Sequence, residues 1–511
     1  MQARSEQGGP DPIPQRLDRL TLRGRPDAPA LIDRAGVLDY AGLDAAVSGL
    51  AAHLAERAAR GERIASWLPK TRAACLMALA CARAGLVHVP INPLLRRAQV
   101  AHILTDSGAR LLVTQPARAA LLESGDVPEG CAIAEETALL EPHAAPLPPG
   151  APDGDSDALA ALLYTSGSTG KPKGVMLSHA NLWLGAMAVA HYLRLAPADC
   201  TLAVLPLSFD AGLNQLLSSW AAGASVVPLD YLTPKDVIRA VERHDVTTLA
   251  GVPPLWIQLA EAHWPPETAA RLRTISSTGG RLPVPVVRRL RALFPQASLH
   301  LMYGLTEAFR STSLDPALAD AHPDSIGRAI PFAEVMVVRP NGSLAAGDEP
   351  GELVHAGPLV GQGYWRDPER TARRFRPAPP ESRYGGIAAW SGDTAVRGAD
   401  GLLRFVGRDD EMIKVSGNRI SPTEIEEAAI ASGAVAEAVA LGVPDERLGQ
   451  ALRLIARASP SVADPQAVLT RHLKAELPAF QQPREIIWVK QFPHNPNGKL
   501  DRPLIRREHG A

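Results

Sequence analysis

The chain has 511 residues, of which 46% are hydrophobic, so it is long and apolar enough for a large buried core and for more than one domain. Lysine and arginine number 53 against 54 aspartate and glutamate, which gives a formal net charge of −1. This balance excludes the strongly basic surface of proteins that bind nucleic acid or anionic membranes, and it favours a small-molecule partner.

The N-terminal stretch MQARSEQGGPDPIPQ lacks the apolar core of a secretion signal. The sequence also has no run of about 18 uncharged apolar residues that could span a membrane. We therefore expect a cytoplasmic protein without a membrane span. The cysteines show no metal-ligand spacing, so we expect buried or incidental thiols and no disulfide framework. They are Cys75, Cys81, Cys131 and Cys200.

The first part of the chain alternates between helical and strand patterns. Apolar residues at helical spacing predict a helix across 43–54, and a second helix is predicted at 72–85. Apolar runs predict strands at 63–68, 88–91 and 110–114. Such alternation is typical of a layered α/β domain with a largely parallel sheet.

The last hundred or so residues have a different pattern. Ser421, Pro422 and Glu424 have the spacing of a capping box and predict a helix through about residue 431. Further strands are predicted at 437–443, 452–458 and 485–490, and a further helix at 468–477. We predict a large N-terminal domain of layered α/β subdomains at 1–407 and a small mobile C-terminal α+β domain at 408–511.

The stretch YTSGSTGKPKGV at 164–175 directly follows an apolar strand predicted at 159–164. Its hydroxyls, glycine amides and two lysines suit phosphate oxygens, which accept many hydrogen bonds and favour positive charge. It is not a Walker A loop, because Gly170-Lys171 is followed by Pro172 and the position five before Gly170 is Thr165 rather than glycine. Taken alone, the stretch is also compatible with a flexible polar turn.

This stretch resembles the phosphate-binding signature of the AMP-forming adenylating enzymes, the superfamily of acyl-CoA synthetases, luciferases and peptide-synthetase adenylation domains. Four further motifs of that superfamily follow in its order: YGLTE at 303–307, SGD at 391–393, GRDDEMIK at 407–414 and PNGK at 496–499. Taken singly, each has an ordinary explanation as a helix end, a turn or a surface charge. Together they extend the resemblance over essentially the whole chain.

The resemblance implies a site that uses ATP, Mg²⁺ and coenzyme A. Thr306 would touch the α-phosphate, Glu307 would hold Mg²⁺, and Lys499 would be the catalytic lysine that bridges both reactants. Asp393 would accept the hydroxyls of the ribose. The implied ATP- or AMP-binding residues are Thr165, Ser166, Gly167, Ser168, Thr169, Gly170, Lys171, Lys173, Gly279, Gly280, Arg281, Met302, Tyr303, Gly304, Thr306, Asp393, Arg408 and Lys499.

The implied reaction has two steps. A small-molecule carboxylic acid attacks the α-phosphorus of ATP to give acyl-AMP and pyrophosphate, and the thiol of coenzyme A then displaces AMP. Members of the superfamily rotate the small domain between the steps, with Asp410 as the implied hinge and the segment around Gly417 on the pantetheine path. Asn418 departs from the pattern, because related enzymes often have an aromatic residue there, and this bears on the fit to coenzyme A.

The acyl pocket is implied to include Phe209, Asp210 and Asn214, and Phe309 is a further candidate by position. Phe209 is either a gate of the acyl site or a core aromatic. In amino-acid-activating members an aspartate in the position of Asp210 pairs with the substrate ammonium. The alternative is that Asp210 caps a helix starting near Leu213. We expect the cap and an acid without an amino group.

A second function stays open, in which the enzyme loads an amino or acyl group onto a separate phosphopantetheine carrier protein. Residues 324–326 superficially resemble a phosphopantetheine attachment site, but they lie inside the large domain. A non-catalytic relative would lack Lys499, Glu307 or the loop, and all are present. The runs 205–216, 250–260, 301–312 and 323–331 also resemble the acyl-CoA ligase subgroup associated with exosortase A systems of Gram-negative bacteria. That likeness implies a pathway context and no particular substrate.

Overall fold

The structure is a computed structural model, and it describes residues 9–151, 154–165, 172–280, 282, 284–408, 413–415, 417–420, 422–459, 462–493 and 502–510. The strands in these residues are β1 (Pro29–Asp33), β2 (Gly36–Asp39), β3 (Arg63–Trp67), β4 (Val87–Pro90), β5 (Ala109–Thr114), β6 (Ala132–Glu135), β7 (Leu159–Thr165), β8 (Lys173–Ser178), β9 (Cys200–Ala203), β10 (Ser225–Pro228), β11 (Thr248–Gly251), β12 (Thr274–Ser277), β13 (Ser298–Tyr303), β14 (Thr312–Ser313), β15 (Ser325–Ala329), β16 (Glu334–Val338), β17 (Gly351–Ala356), β18 (Phe375–Pro377), β19 (Ile387–Arg397), β20 (Leu403–Arg408), β21 (Ile413–Val415), β22 (Asn418–Ile420), β23 (Val435–Asp445), β24 (Gly449–Ala458) and β25 (Glu485–Trp488).

The α-helices in the same residues are α1 (Tyr40–Ala55), α2 (Arg72–Ala84), α3 (Arg97–Ser107), α4 (Pro116–Ala119), α5 (Glu136–Leu139), α6 (His179–Tyr192), α7 (Asp210–Ala221), α8 (Pro234–Arg243), α9 (Pro253–Glu261), α10 (Pro266–Ala269), α11 (Val284–Leu293), α12 (Pro368–Arg374), α13 (Pro422–Ala431), α14 (Pro465–Glu476) and α15 (Arg502–His509). Short 3₁₀ helices lie at Leu17–Leu22, Thr306–Ala308, Pro316–Leu318 and Ala479–Gln481.

The first sheet has the strand order β6-β5-β3-β4-β7-β8. The first five strands in this order pair in parallel, and β8 pairs antiparallel to β7. The predicted strands and helices of the N-terminal part are observed as β3, β4, β5, α1 and α2. Helix α2 ends at Ala84 and is capped by Gly85, whose φ of 71° is a left-handed conformation that favours glycine. The predicted layered α/β fold with a largely parallel sheet is confirmed for this part of the chain.

The second sheet has the order β16-β17-β19-β20-β15-β14-β13-β12-β11-β9-β10-β1-β2, with β18 paired to β19. The strands from β13 to β1 along this order are parallel, whereas β14 pairs antiparallel to β13. The YGLTE motif therefore follows a strand at which parallel pairing gives way to antiparallel pairing. The motif also lies beyond the carboxyl end of β13, and open α/β sheets bind ligands outside the carboxyl ends of their parallel strands. The sheet also includes Arg408 in β20, so the predicted domain boundary falls at the end of that strand.

The small domain has its own sheet, with the order β22-β21-β24-β23 and β25 paired to β24. The predicted strands are observed as β23, β24 and β25, and the predicted helix at 468–477 as α14. Helix α13 begins at Pro422, as predicted, and ends at Ala431. The predicted capping residue Ser421 lies outside the described residues. Buried residues of α13, α14 and this sheet form one apolar core, which includes Ile425, Leu454 and Leu469.

The remaining expectations on composition concern thiols and membranes. All four cysteines are free, with Cys75, Cys81 and Cys200 buried and Cys131 half-buried, as expected. Among the helices of the described segments, none has both the length and the apolar character needed to cross a bilayer.

A buried ionic network ties the N-terminal 3₁₀ helix to α1 and α2. The Arg83 side chain is fully buried on α2, and its Nη2 donates to Asp44 Oδ1 at 2.6 Å and to Thr21 Oγ1 at 2.9 Å. Its Nε lies 3.5 Å from Asp18 Oδ2, and Asp18 is fully buried as well. Its Nη1 donates to Ser48 Oγ at 2.6 Å. The guanidinium therefore compensates two carboxylates at the junction of three helices.

Replacing Arg83 tests this network. Arg83→Ala leaves Asp18 buried with less compensation, so we expect the free energy of unfolding to fall by about 3–5 kcal/mol in urea denaturation. Arg34→Ala, at an exposed arginine, is the control and should change it by no more than about 0.5 kcal/mol. A loss below about 1 kcal/mol in Arg83→Ala would contradict the role given to the network.

Candidate active site

The predicted phosphate-binding stretch connects two antiparallel strands. Thr165 at the end of β7 and Lys173 at the start of β8 are register partners, so they close the base of this connection. A Walker A loop would lead directly into a helix, whereas here β8 follows first, which agrees with its exclusion from the sequence. The predicted residues between these two strands lie outside the described residues; they are Ser166, Gly167, Ser168, Thr169, Gly170 and Lys171.

A chain of short polar contacts joins Lys173 to Glu307. Lys173 Nζ donates to the phenol oxygen of Tyr364 at 2.7 Å, and that phenol donates to Glu307 Oε1 at 2.6 Å. Lys173 Nζ also lies 3.5 Å from Glu307 Oε1. Glu307 is 1% exposed, and it sits with Thr306 in the 3₁₀ turn that follows β13. The structure thus brings together two predicted residues that are far apart in sequence.

Tyr364 is a site residue that sequence reasoning missed. The segment around it runs beside β8, because Met176 N–H donates to the Gly363 carbonyl and Trp365 N–H donates to the Gly174 carbonyl. These backbone bonds hold the tyrosine between Lys173 and Glu307. Tyr364 belongs to none of the sequence motifs, and its contact with Lys173 could not be predicted from local pattern because 191 positions separate the two residues.

A second pair of predicted residues meets at the ribose motif. The Tyr303 phenol donates to Asp393 Oδ2 at 2.5 Å, and both side chains are buried. Asp393 N–H donates to Ser391 Oγ at 3.0 Å, which fixes the start of the SGD turn. Asp393 in β19 is the register partner of Arg408 in β20. The motifs at 303–307, 391–393 and 407–408 therefore converge in the backbone of one sheet.

His355 packs against this pair and was also missed from sequence. Its ring stacks on Tyr303 with centroids 5.9 Å apart and an interplanar angle of 22°. Burial lowers the pKa of His355 to about 4, so the ring is neutral at pH 7. A neutral aromatic surface therefore supports the tyrosine whose hydroxyl holds Asp393.

The described residues supply the types of chemical group that bind Mg²⁺ and the phosphates of a nucleotide. Mg²⁺ takes oxygen ligands and is usually held by one or two carboxylates together with substrate phosphates. Glu307 supplies such a carboxylate, and the Lys173 ammonium 3.5 Å away supplies positive charge of the kind that phosphates require. This side of the site suits a metal-bound polyphosphate.

The predicted acyl-pocket residues lie at the start of α7, on α7 itself and in the turn after Glu307. Asn214 is 1% exposed, and its Nδ2 donates to the Gly185 carbonyl at 3.4 Å. A side chain at Gly185 would overlap the buried ring of Phe309, so Phe309 packs against the same point of α6. Met302, on β13, accepts a hydrogen bond from the Tyr192 phenol at 3.1 Å. Phe209 and Asp210 are half-buried at the start of α7.

The expectation that Asp210 caps a helix starting near Leu213 is wrong. Helix α7 begins at Asp210 itself, because Leu213 N–H already donates to the Phe209 carbonyl at 2.9 Å. The N-cap position is Phe209, whose side chain makes no capping hydrogen bond. Asp210 therefore occupies the first turn, where a carboxylate favours the helix dipole without satisfying a cap.

The small domain contacts the large one beside the site. Gly417 has a φ of 79°, and a Cβ there would lie 2.7 Å from Val252 Cγ1, so only glycine fits without a shift. A Cβ on Gly279, itself a predicted nucleotide-binding residue, would lie 3.8 Å from the Gly417 carbonyl oxygen. Lys414 Nζ lies 5.1 Å from the ring centroid of Phe405 in β20. The β21–β22 turn thus reaches predicted nucleotide-binding residues.

Several predicted residues cannot be placed. Asp410, Lys499 and Arg281 lie outside the described residues, and nothing is described of the Arg408 side chain. Their roles stay predictions.

Comparisons with known proteins match the chain along nearly all of its length. The sequence model for the AMP-binding enzyme family matches residues 19–365, and the model for the AMP-binding enzyme C-terminal domain matches 424–499. Feruloyl-CoA synthase from Amycolatopsis sp is 32% identical over 502 residues, which are 96% of this chain and 97% of that protein. A plipastatin synthase protein from Bacillus subtilis (strain 168) is also 32% identical over 502 residues, but the match covers 95% of this chain and 19% of that protein. The chain therefore spans about a fifth of the length of that relative.

Among solved structures, the two-domain arrangement is matched by o-succinylbenzoate CoA synthetase from Bacillus subtilis. A double mutant bound with its product analogue aligns with a TM-score of 0.84 at 26% identity, covering 97% of this chain and 98% of that one. The same synthetase in complex with its acyl-adenylate intermediate aligns with a TM-score of 0.69, covering 96% of this chain and 98% of that one. The whole chain therefore aligns more closely with the complex that contains the product analogue than with the acyl-adenylate complex.

Proposed function

This chain belongs to the AMP-binding enzyme family, and we propose that it is an AMP-forming acid–thiol ligase that makes an acyl-CoA. It activates a carboxylic acid with ATP to acyl-AMP, releases pyrophosphate, and transfers the acyl group to coenzyme A. The observation that carries the proposal is the match to feruloyl-CoA synthase, which extends over nearly the full length of both proteins.

The first step brings two anions together, because a carboxylate must approach a triphosphate. Electrostatic preorganisation is the main means by which a protein lowers such a barrier. We assign Lys173 to the phosphates, with Tyr364 holding it beside Glu307 through bonds of 2.7 and 2.6 Å. Mg²⁺ at Glu307 supplies, when bound, further neutralisation of the phosphates. Thr306 is assigned to the α-phosphate, and Lys499 to charge that develops between the reactants.

The nucleoside is assigned to the opposite end of this site. Asp393 can accept both ribose hydroxyls, and the hydrogen bond from Tyr303 fixes one of its oxygens. A carboxylate that is already oriented loses less freedom when the ribose binds.

The second step needs a path for the thiol of coenzyme A. The approach of Gly417 to Val252 and Gly279 supports the proposal that this turn of the small domain lines the pantetheine path. In this proposal the domains are 1–407 and 408–511, and Asp410 is the hinge that changes their orientation between the steps. Localisation in the cytoplasm and the exosortase A subgroup stay predictions.

A panel assay tests the function. Purified protein with ATP and Mg²⁺ is given a series of carboxylic acids, with and without coenzyme A, while pyrophosphate, AMP and thioester are measured. We expect acid-dependent pyrophosphate release, and coenzyme A should convert the bound acyl-AMP to free AMP and an acyl-CoA. Formation of ADP in place of AMP would rule out the proposal.

The match to plipastatin synthase favours one alternative acceptor, a separate phosphopantetheine carrier protein. In that case the same acid would release pyrophosphate but coenzyme A would not increase turnover. Added phosphopantetheinylated carrier protein would become acylated in its place.

The role of Glu307 is tested by removing its charge. Glu307→Gln retains the size of the side chain but removes its negative charge. We therefore expect the Mg²⁺ concentration for half-maximal pyrophosphate release to rise by about tenfold, which is the order of effect seen when residues around a metal site are changed. Tyr364→Phe is the matched variant, because it removes the hydrogen bond to Glu307 and leaves the carboxylate, so its Mg²⁺ requirement should rise less than that of Glu307→Gln. An unchanged magnesium titration in Glu307→Gln would reject the assignment.

Lys499 should act in the first step alone. We expect Lys499→Ala to reduce acyl-AMP formation by orders of magnitude, while thioester formation from supplied acyl-AMP is largely retained. Lys490→Ala, at an exposed lysine outside the PNGK motif, is the control and should alter neither step. Equal losses in both half-reactions of Lys499→Ala would show that the residue does not have this role.

Asp210 tests whether the acid carries an amino group. We expect an acid without one, so Asp210→Ala should leave the choice of acid unchanged and cost roughly 0.3–1 kcal/mol of stability through the helix dipole. Glu369→Ala, in the first turn of α12, is the matched control for that cost. The expectation fails if pyrophosphate release requires an amino acid and collapses in Asp210→Ala.

A further inference from the structure

Arg310 is a buried cation next to the residues assigned to the nucleoside and the acyl group. The residue is 6% exposed, and its Nη1 donates to Thr278 Oγ1 at 3.1 Å. Its Nε has no hydrogen-bond partner. Within the described ranges, no carboxylate forms an ion pair with this guanidinium.

This isolation distinguishes Arg310 from the other arginines of comparable burial. Across the part of the chain that the structure describes, the buried arginines are Arg16, Arg83 and Arg310. Arg16 and Arg83 both lie 3.5 Å from Asp18. A guanidinium stays charged at any pH at which proteins fold, and a buried charge without a counterion is strongly unfavourable. An anion beside Arg310 would therefore compensate this charge.

The surroundings place this cation between the two halves of the site. A Cβ on Gly304 would lie 3.1 Å from the Arg310 Cα, so the glycine of the YGLTE motif and Arg310 are in close approach. Thr278 directly precedes the predicted nucleotide-binding Gly279. Burial raises the pKa of the Tyr192 phenol to about 12, and the nearby Arg310 charge partly offsets this shift. Tyr192 ends α6, the helix against which Asn214 and Phe309 pack.

The backbone at this point is strained. Phe309 has a φ of 35° and Arg310 has a φ of 99°, conformations that side chains other than glycine rarely adopt. Strain of this kind persists where the surrounding structure fixes it, and it clusters at ligand sites. The fold therefore maintains Arg310 in this position at a cost in backbone energy.

A nucleotide phosphate is the less favoured anion. The residues assigned to the phosphates, Lys173, Tyr364 and Glu307, are held together beside β8. Arg310 instead bonds to Thr278, which follows β12, and lies against Gly304 at the end of β13. Its chain neighbour Phe309 is a candidate for the acyl pocket, and the nearby Tyr192 ends α6, the helix against which Phe309 and Asn214 pack.

We propose that Arg310 binds a second carboxylate on the substrate, so that the acid activated by this enzyme is a dicarboxylic acid. The inference rests on the proposed function, because it assigns the substrate class of that same site. A guanidinium pairs with a carboxylate through two parallel hydrogen bonds, and the Nε that lacks a partner is one of the two kinds of donor in that fork.

The test compares acids that differ by one carboxylate. Wild type, Arg310→Gln and Arg310→Lys are assayed for pyrophosphate release with butanoate and succinate, hexanoate and adipate, and benzoate and phthalate. We expect wild type to prefer the dicarboxylate in at least one pair by about tenfold or more in kcat/KM. Arg310→Gln should lower kcat/KM for that dicarboxylate by about 100-fold and leave the monocarboxylate within about threefold. Arg310→Lys should keep part of the preference for the dicarboxylate, since lysine carries the positive charge but lacks the two parallel donors of a guanidinium.

Two further readouts keep the inference testable if Arg310→Gln folds poorly. Thermal unfolding of wild type without nucleotide should show a larger rise in Tm with the preferred dicarboxylate than with its monocarboxylate partner. The KM for ATP should be the same in wild type and in Arg310→Lys. Equal use of both members of every pair, or a change confined to the KM for ATP, would overturn the inference and leave the proposed function intact. Absence of pyrophosphate release with every acid would overturn the proposed function and this inference with it.

Discussion

The buried carboxylate of Glu307 joins the two large sheets of the molecule at the site. Glu307 follows β13 of one sheet, Lys173 begins β8 of the other, and the phenol of Tyr364 bridges them with bonds of 2.6 and 2.7 Å. A carboxylate that is 1% exposed requires such partners, because burying a charge without compensation is costly. The contact therefore sets the position of Lys173, at the start of β8, relative to the YGLTE motif, and the first step of the proposed reaction depends on that position.

The sequence predicted the parts of the fold and the site that depend on local pattern. Helices α1 and α2 and strands β3, β4 and β5 follow from periodicity, since a helix or strand needs only its own residues to show an apolar face. Motif resemblance assigned four residues that are distant in sequence to one ATP site; they are Lys173, Tyr303, Glu307 and Asp393. It did not predict which of them contact each other. The resemblance to a known family thus related residues that are distant in sequence, which the periodicity of apolar residues could not do.

The residues that were missed act through contacts that no local pattern encodes. Tyr364 and His355 are ordinary aromatic residues in sequence, and their roles arise from sheet pairing that brings them under Glu307 and Tyr303. Arg310 follows the YGLTE motif but could not be separated from a surface arginine, because its burial is a property of the tertiary fold. The capping role of Asp210 failed for a similar reason: the start of α7 is set by backbone hydrogen bonds that begin at Phe209. Helix ends are decided by such bonds as much as by the preference of a single residue.

The central claim is that the carboxylate of the acid attacks the α-phosphorus of ATP, and isotope transfer tests it most directly. An accepted acid labelled with ¹⁸O in its carboxylate is turned over with ATP and coenzyme A, and the AMP produced is examined by mass spectrometry or ³¹P NMR. The account predicts one ¹⁸O atom in the phosphate of AMP, because the acyl–oxygen bond of acyl-AMP breaks when the thiol attacks. Unlabelled AMP, or label found in pyrophosphate or inorganic phosphate, would contradict the account.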